Sequence, residues 1–583
     1  MGYSLFQTPP TYESIFGNTV SQTLKSVLPE QIPTFIKLTS YISSVLYLKH
    51  ETIEEEASIR FFEDAIRGSK TGEMIVDWCL AHNVSRLEII NTHAFPFLYN
   101  ILFELFEEGK DKRELSIEDK ALYLKLLLVA NSKFVDETKE SENDNLIPFD
   151  DRLSFQKNIW PIILHQFEKR DIIDFTFELS RTIVMLSYAK EKLGYATAVD
   201  EFIEERGCSN IFEYAFSMAD LLREYFASRC KNEILCSYDL TPKMEKLLLP
   251  FTLSLPQTQK SQLTTHPILH LDDQLFVLDW NCLSGQIFLG TYFGLNSKIK
   301  KAGSIDKYGN TKLKGEIGNI MEEYLMKPII ETVFENNSQL MKYDSESGFT
   351  GYPDAMILSG SILYIFEFKD KLLSERVFKS TSYSVLFNDI DKGFVNDEGI
   401  KQLLDYMEKF VTNKYSSWFS GINSNVVKYI YPIIIYTDHM YGIEGINDYL
   451  VTRFEESISN WKNSDVLSNY YRNGIIQPVT IIGLDFFFKT AHLFNSNQQS
   501  LHILLDRYIT SMRDLRIKMN NHTITDWDEI RNAYKSFESF HSNINYIHSS
   551  WNDMWLFLSH SNFEWLQQSK LHRNATLHEH IPD

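Results

Sequence analysis

Residue types that can carry out phosphodiester chemistry lie within one short stretch of the chain. Asp354 precedes Glu367 by twelve intervening residues, and Lys369 follows two positions later. Two carboxylates and an amine among Ile, Tyr and Phe side chains cost free energy to bury unless something pairs them. Mg²⁺ or Mn²⁺ suits such oxygen ligands, lowers the pKa of a bound water and stabilises charge on a phosphate, while the lysine orients the water. The pattern predicts metal-dependent phosphodiester hydrolysis.

These residues belong to a predicted β-hairpin. The stretch 351–369 contains two apolar, β-branched runs that meet at a Ser-Gly pair, 359–360, which is a hairpin signal. That turn places Asp354 opposite Ile365, on the face of the sheet that carries Glu367 and diagonal to it. The diagonal spans roughly 7–8 Å, within reach of one shared cation. A loop of odd length would put the aspartate on the other face.

The same residues resemble the signature of the PD-(D/E)XK nuclease superfamily, which has the restriction-endonuclease-like fold. The resemblance is carried by Pro353-Asp354 and Glu367-Phe368-Lys369 at this spacing. It implies that Asp354 and Glu367 bind Mg²⁺ or Mn²⁺ with help from the Phe368 carbonyl, and that Lys369 positions the attacking water. The alternative is a surface hairpin with an exposed ion pair, worth under about 1 kcal/mol.

The helix predicted over 315–330 extends the resemblance. Members of the superfamily place an acidic residue on the first helix of the core, where it supports the metal directly or through a water. Glu322 is the candidate for that role here, and Glu316 is the reserve. The alternative is that both glutamates face solvent.

A second predicted helix, 400–410, carries a further candidate. Gln402 and Tyr406 are four residues apart, so both side chains lie on one helix face. The pair is similar to the Q-x-x-x-Y motif of RecB-type and CRISPR-adaptation nucleases. It implies a helix that holds a nucleotide or the catalytic lysine, Lys369. The polar stretch 370–398 before this helix is predicted to be a loop that covers the substrate.

The remaining pattern predicts four parts of the chain. Residues 1–240 are expected to form a helical domain, and 241–285 a proline-containing linker with a hairpin. Residues 286–515 are expected to form the nuclease-like core, with buried strands over 429–436 and 479–483 in a mixed sheet flanked by helices. Residues 516–583 are expected to be a helical extension. The predicted fold class is therefore α+β or α/β.

Composition limits the partners. The chain has 583 residues and a formal charge of −21, so a surface that contacts phosphates must be a local basic strip, for which the lysines of 298–314 are a candidate. The five cysteines include no CxxC pair, which favours reduced thiols and a cytoplasmic location. The longest apolar runs are far shorter than the roughly 20 residues that span a bilayer, so no membrane association is expected.

The functional hypothesis is a metal-dependent nuclease. DNA is favoured over RNA because most of the superfamily acts on DNA, and antiviral defence or DNA repair follows by analogy only. The alternative is a catalytically idle nucleic-acid- or protein-binding module. A third reading is a triggered toxin or scaffold component whose helical domains bind a protein partner or a second copy of the chain.

Overall fold

The structure is a computed structural model. It describes residues 10–47, 68–82, 90, 94–107, 114–139, 153–163, 175–230, 234–253, 262–263, 265–336, 338, 340–344, 351–374, 377, 383–396, 399–415, 426–462, 464–521 and 531–542. Most of the predicted C-terminal extension, 516–583, lies outside these residues. No helix in the described part combines the length and apolar composition needed to cross a membrane.

The chain forms two compact units. Unit 1 comprises 1–144, 165–190 and 194–311, and unit 2 comprises 145–164, 191–193 and 312–583. The division differs from the predicted boundaries in three places, one of which is the short stretch 191–193, predicted within the helical domain and assigned to unit 2. Residues 286–311 were predicted to belong to the nuclease-like core and lie in unit 1. Residues 145–164 were predicted to belong to the helical domain and lie in unit 2.

The described residues up to 230 form helices joined by turns and short irregular segments, with no strand among them, as predicted. One helix of this part, α7, belongs to unit 2. The helices, in chain order, are α1 (Tyr12–Phe16), α2 (Val20–Lys25), α3 (Ile32–Tyr47), α4 (Lys70–His82), α5 (Phe95–Glu104), α6 (Ile117–Lys139), α7 (Ser154–Ile163), α8 (Phe175–Glu191), α9 (Ala196–Glu205) and α10 (Ile211–Cys230).

A small sheet follows in unit 1. Its strands are β1 (Ser237–Asp239), β2 (Thr252–Leu253), β3 (Ile268–Leu271) and β4 (Gln274–Val277), in the order β1-β4-β3-β2. The predicted hairpin is β3–β4, and its turn includes Asp272 at φ 56°. The helices around this sheet are α11 (Pro242–Leu248), α12 (Trp280–Gln286) and α13 (Leu289–Lys301).

The predicted basic strip, 298–314, is only partly a loop. Lys298 lies in the last turn of α13, and its ammonium pairs with Glu201 at 3.0 Å and with Glu205 at 2.7 Å. Cationic residues in the last turn interact favourably with the negative end of the helix dipole. Lys298, Lys300 and Lys301 all lie in this last turn. Because Lys298 is already paired with two carboxylates, fewer lysines of the strip are available to bind phosphate than the sequence suggested.

Unit 2 contains most of the predicted core, residues 312–515. Its helices are α14 (Lys312–Met321), α15 (Lys327–Phe334), α16 (Tyr383–Ile390), α17 (Ile400–Val411), α18 (Ile446–Ser459), α19 (Ser464–Arg472), α20 (Leu484–Asn495), α21 (Leu501–Asn520) and α22 (Phe537–Phe540). Its strands are β5 (Leu340–Tyr343), β6 (Ala355–Ser359), β7 (Ile362–Lys369), β8 (Tyr429–Tyr436) and β9 (Thr480–Gly483).

The strands of unit 2 form a mixed sheet in the order β5-β6-β7-β8-β9. The pairs β5/β6 and β6/β7 are antiparallel, whereas β7/β8 and β8/β9 are parallel. Strand β8 is buried along nearly its whole length, as expected for a strand covered on both faces, which is why its sequence is a continuous apolar run. The mixed α and β architecture that the sequence predicts is confirmed.

Helices cover both faces of this sheet at β7. On one face Phe366 packs against Phe334 of α15 and Phe487 of α20, with ring centroids 6.1 and 6.4 Å apart. On the other face Lys369 reaches Gln402 of α17. The alternation of side chains along β7 thus separates an aromatic core face from a face that carries the polar residues.

Three local predictions need correction. The turn between β6 and β7 consists of Gly360 and Ser361, because Ser359 pairs with Ile362; the pairing is shifted by two residues, which keeps Asp354 on the predicted face. The helix predicted over 315–330 is interrupted by a π-helical turn. The stretch 370–398, predicted to be a loop, contains α16 and a second π-helical turn at Asp391–Val395.

Candidate metal centre

Strand register brings three carboxylates into one row across the sheet. Tyr343, Ala355 and Phe366 are neighbours on β5, β6 and β7. Asp344 follows Tyr343, Asp354 precedes Ala355, and Glu367 follows Phe366. The row one step beyond the paired residues therefore consists of Asp344, Asp354 and Glu367, taken in order from β5 to β7. Asp354 is thus adjacent to Glu367 across the strands and not diagonal to it.

A fourth carboxylate comes from the helix beside the sheet. Glu322 is the first residue of a π-helical turn, Glu322–Met326, that joins α14 to α15. Such turns are rare and occur frequently at functional sites. Oxygens of Glu322, Asp344 and Asp354 lie within 4.8 Å of one another, which compares with about 4 Å across the octahedron of a bound Mg²⁺. The next residue, Glu323, is exposed and pairs with Lys327.

Asp354 is fixed by the strand that follows it. Its Oδ2 accepts a hydrogen bond from the backbone N–H of Phe368 at 2.5 Å. That bond links the end of β6 to the end of β7 and leaves the other carboxylate oxygen available to a ligand. The Phe368 N–H is therefore one of the contacts that place the aspartate.

Glu367 is the most deeply buried member of the site. Its residue is 1% exposed, and its Oε1 accepts a hydrogen bond from the Lys369 ammonium at 2.8 Å. Its Oε2 is buried and has no hydrogen-bond partner among the described residues. Because a buried carboxylate oxygen without a partner is costly, this atom favours a ligand that the described residues do not supply.

Helix α17 orients the lysine. Lys369 donates a second hydrogen bond to the amide Oε1 of Gln402 at 3.1 Å. The same oxygen accepts the backbone N–H of Gly399 at 2.8 Å, which caps the start of the helix. Gly399 has φ +69°, and a Cβ there would lie 2.4 Å from the carbonyl oxygen of Phe394. The glycine therefore lets α17 begin directly against the preceding π-helical turn, Asp391–Val395, and Gln402 in the first turn of α17 reaches the lysine.

The site holds more negative charge than it can neutralise internally. Burial raises the pKa of Asp354 to about 6 against the opposing effects of the Phe368 N–H and Lys369. Burial also raises the pKa of Glu367 to about 8, with Asp354 as the next cause. The pKa of Glu322 rises to about 8 through burial, followed by the charges of Asp354 and Asp344. The pKa of each of these three carboxylates is thus raised above its ordinary value, so each binds its proton more tightly than an exposed carboxylate does.

The donor set fits a hard divalent cation. Mg²⁺ and Mn²⁺ prefer carboxylate oxygens, and Mg²⁺ usually keeps several waters beside one or two carboxylates. Four carboxylates face one ammonium, and one carboxylate oxygen is buried without a partner. Glu322, Asp344, Asp354 and Glu367 are the residues that would hold such an ion.

The structure brings together the five side chains that the sequence proposed as catalytic. Asp354, Glu367, Lys369, Glu322 and Gln402 are linked by the contacts above, and Phe368 contributes its N–H to Asp354. The part of the Phe368 carbonyl as a metal ligand stays a prediction. The reserve candidate lies elsewhere, because Glu316 accepts a hydrogen bond from Asn319 one turn along α14.

Sequence reasoning missed Asp344. It lies directly after β5, a short strand that was not predicted. The available signal was a short run just before the hairpin, Leu340–Tyr343, which has three apolar residues in four but no clear period of two.

Comparison of the chain with protein-family models, with curated proteins and with solved structures found no match.

Proposed function

We propose that the protein is a metal-dependent nuclease that hydrolyses phosphodiester bonds, with DNA as the favoured substrate. The observation that supports this most is the excess of carboxylates around one oriented lysine at the ends of adjacent strands. A structural ion pair needs one acid for one base, whereas the contacts among the described residues bring four acids and one base together here. The residues that resemble the PD-(D/E)XK signature supply the lysine and two of the acids.

Each side chain has a distinct part in the proposed reaction. Glu322, Asp344, Asp354 and Glu367 would hold Mg²⁺ or Mn²⁺. The ion, when bound, supplies a water of lowered pKa and stabilises the charge that develops on the phosphate. Lys369, fixed between Glu367 and Gln402, orients the attacking water or neutralises the developing oxyanion. Gln402 acts through Lys369, as a positioning residue.

The choice of DNA rests on analogy with the superfamily and on no single residue of this chain. For the same reason, a role in antiviral defence or DNA repair is a proposal about biology and is separate from the proposed chemistry. The chemistry can be tested without knowing the biology.

A cleavage assay tests the proposal. Labelled duplex DNA, single-stranded DNA and RNA are incubated with Mg²⁺ or Mn²⁺ and with wild type, Asp354→Asn or Lys369→Met. We expect cleavage that requires the metal and is lost in both variants. Glu322→Gln and Glu323→Gln form a matched pair, because only the first residue belongs to the site; the second variant should cut like wild type.

Two results would contradict the proposal. Equal cutting by wild type and by both site variants would place any activity elsewhere. Tight binding of one nucleic acid by the wild type, with no cleavage under either metal, would favour the idle binding module.

A further inference from the structure

Helix α17 contacts the site at both of its ends. Its first turn places Gln402 on Lys369, as described above. Near its last turn, the ammonium of Lys409 donates a hydrogen bond to the backbone carbonyl of Gly351 at 2.8 Å. The hydroxyl of Tyr415, just beyond the helix, donates to the same carbonyl at 3.1 Å. One carbonyl oxygen thus accepts two side-chain donors.

The segment held in this way is the one that carries the metal-ligand candidate Asp354. Gly351, Tyr352 and Pro353 lead directly into the aspartate. The ring of Tyr352 stacks on the ring of Tyr415, with centroids 4.7 Å apart. The segment is therefore fixed at its start by Lys409 of α17 and by Tyr415 just beyond the helix. It is fixed at its end by the hydrogen bond from the Phe368 N–H to Asp354.

Gly351 is suited to this contact for two reasons. Its φ is +87°, a conformation that L side chains rarely adopt. A Cβ at this position would lie 2.7 Å from the Lys409 ammonium, so any side chain would displace the donor. The close approach of Lys409 to the carbonyl depends on the missing side chain.

We infer that Lys409 and Tyr415 are positioning residues that set the affinity of the site for its divalent cation by fixing the segment Gly351–Asp354. The inference rests on the proposed metal centre. Mg²⁺ demands near-ideal octahedral geometry, so a carboxylate that must be ordered when the ion binds reduces the affinity. Groups that hold metal ligands in place typically change metal affinity by about 10–100-fold when they are removed.

The sign of the effect separates positioning from simple electrostatics. Lys409 carries a positive charge, and its other partner is Asp405 at 2.7 Å. If Lys409 acted only through its charge, its removal would make the region more negative and tighten the binding of a cation. Positioning predicts the opposite, a weaker affinity. Tyr415→Phe changes no charge and keeps the ring that stacks on Tyr352, so it isolates the hydrogen bond.

The experiment measures Mn²⁺ affinity by calorimetry and cleavage rate against Mn²⁺ concentration for the full chain. We expect Lys409→Met and Tyr415→Phe each to raise the dissociation constant for Mn²⁺ about 10-fold, with the cleavage rate restored at saturating Mn²⁺. Lys414→Met is the control, because that exposed lysine directly precedes Tyr415 and contacts Lys409 through its backbone N–H, which the substitution keeps. It should bind and cut like wild type.

Several outcomes would overturn the inference. Unchanged or tighter Mn²⁺ binding in both variants would remove it while leaving the proposed function intact. A loss of rate that saturating Mn²⁺ does not restore would show a structural role instead. If the wild type binds no Mn²⁺, the inference and the proposed function fail together.

Discussion

Among the described residues, each unit contains a region that buries charged side chains, and these two regions balance charge in opposite ways. In unit 1, Glu178 and Arg181 lie one turn apart on α8, with the guanidinium 3.1 Å from the carboxylate and both side chains almost fully buried. The guanidinium also lies over the ring of Phe288, 3.7 Å from its centroid. One acid faces one base, and an aromatic face covers the base.

In unit 2 the balance is different. Glu322, Asp344, Asp354 and Glu367 converge on Lys369, and burial raises the pKa of three of these acids. In a matched buried pair the mutual attraction offsets much of the desolvation cost, whereas an unmatched cluster costs free energy until a ligand binds. The difference separates a structural use of buried charge from a functional one.

The largest expected effect is on cleavage. Asp354→Asn keeps the size of the side chain and removes one charge. That charge lies beside Glu367 across the strands and within 4.8 Å of oxygens of Glu322 and Asp344. We expect the rate to fall by at least about 1,000-fold, about 4 kcal/mol of transition-state stabilisation. Asp344→Asn should lower the rate too. A wild-type rate in Asp344→Asn would exclude that residue from the metal centre.

The next effect concerns the buried ion pair of unit 1, Glu178 and Arg181. Arg181→Met leaves Glu178 buried without its partner, so we expect a loss of about 3–5 kcal/mol in the free energy of unfolding, measured by urea denaturation. Mn²⁺ affinity should not change. The double variant Glu178→Leu, Arg181→Met should recover most of the loss, because two apolar residues can replace a buried ion pair. A double variant as unstable as the single one would contradict this account of the pair.

The unmatched cluster should respond with the opposite sign. Without metal, Asp344→Asn removes one of several repelling carboxylates, so we expect the free energy of unfolding to rise by about 1 kcal/mol. Stabilisation by Mn²⁺ should shrink in the same variant. Glu323→Gln, in the exposed neighbour of Glu322, should change neither quantity. Destabilisation of metal-free Asp344→Asn would mean that the cluster is structurally compensated, like the pair in unit 1.

The smallest effect is a dependence on pH. Carboxylates whose folded-state pKa is raised hold protons that the unfolded chain releases, so without metal their contribution to stability falls as pH rises from about 4 to about 8. Mn²⁺ must displace these protons. The increase in Tm caused by Mn²⁺ should therefore be larger at pH 8 than at pH 5.5. Equal increases at both pH values would indicate a metal site elsewhere.

The sequence predicted a helix or strand of unit 2 well where its hydrophobic period and its residue composition indicate the same type of element. The strand over 429–436 and the helix over 400–410 have nearly the bounds of β8 and α17. Both have strong signals, a continuous apolar run in the first and a clear helical period in the second. The candidate side chains on β7 and α17 were identified differently, from their residue types and from the resemblance to the PD-(D/E)XK and Q-x-x-x-Y motifs.

Other parts of the site depend on pairing that a single sequence does not specify. The turn could use either of two adjacent residue pairs, since Gly360 with φ +59° serves both, and only the pairing of Ser359 with Ile362 decides between them. Asp344 reaches Asp354 only because β5 pairs with β6. The π-helical turn at Glu322 leaves no mark in the hydrophobic period, so an uninterrupted helix was predicted.

The most direct test of the metal centre is anomalous scattering from a crystal of the protein soaked in Mn²⁺. The account predicts an anomalous peak within about 2.0–2.3 Å of carboxylate oxygens from Asp354 and at least one of Glu322, Asp344 and Glu367. The peak should be absent in Asp354→Asn. A soaked wild-type crystal with Mn²⁺ bound elsewhere and none at these carboxylates would contradict the central claim.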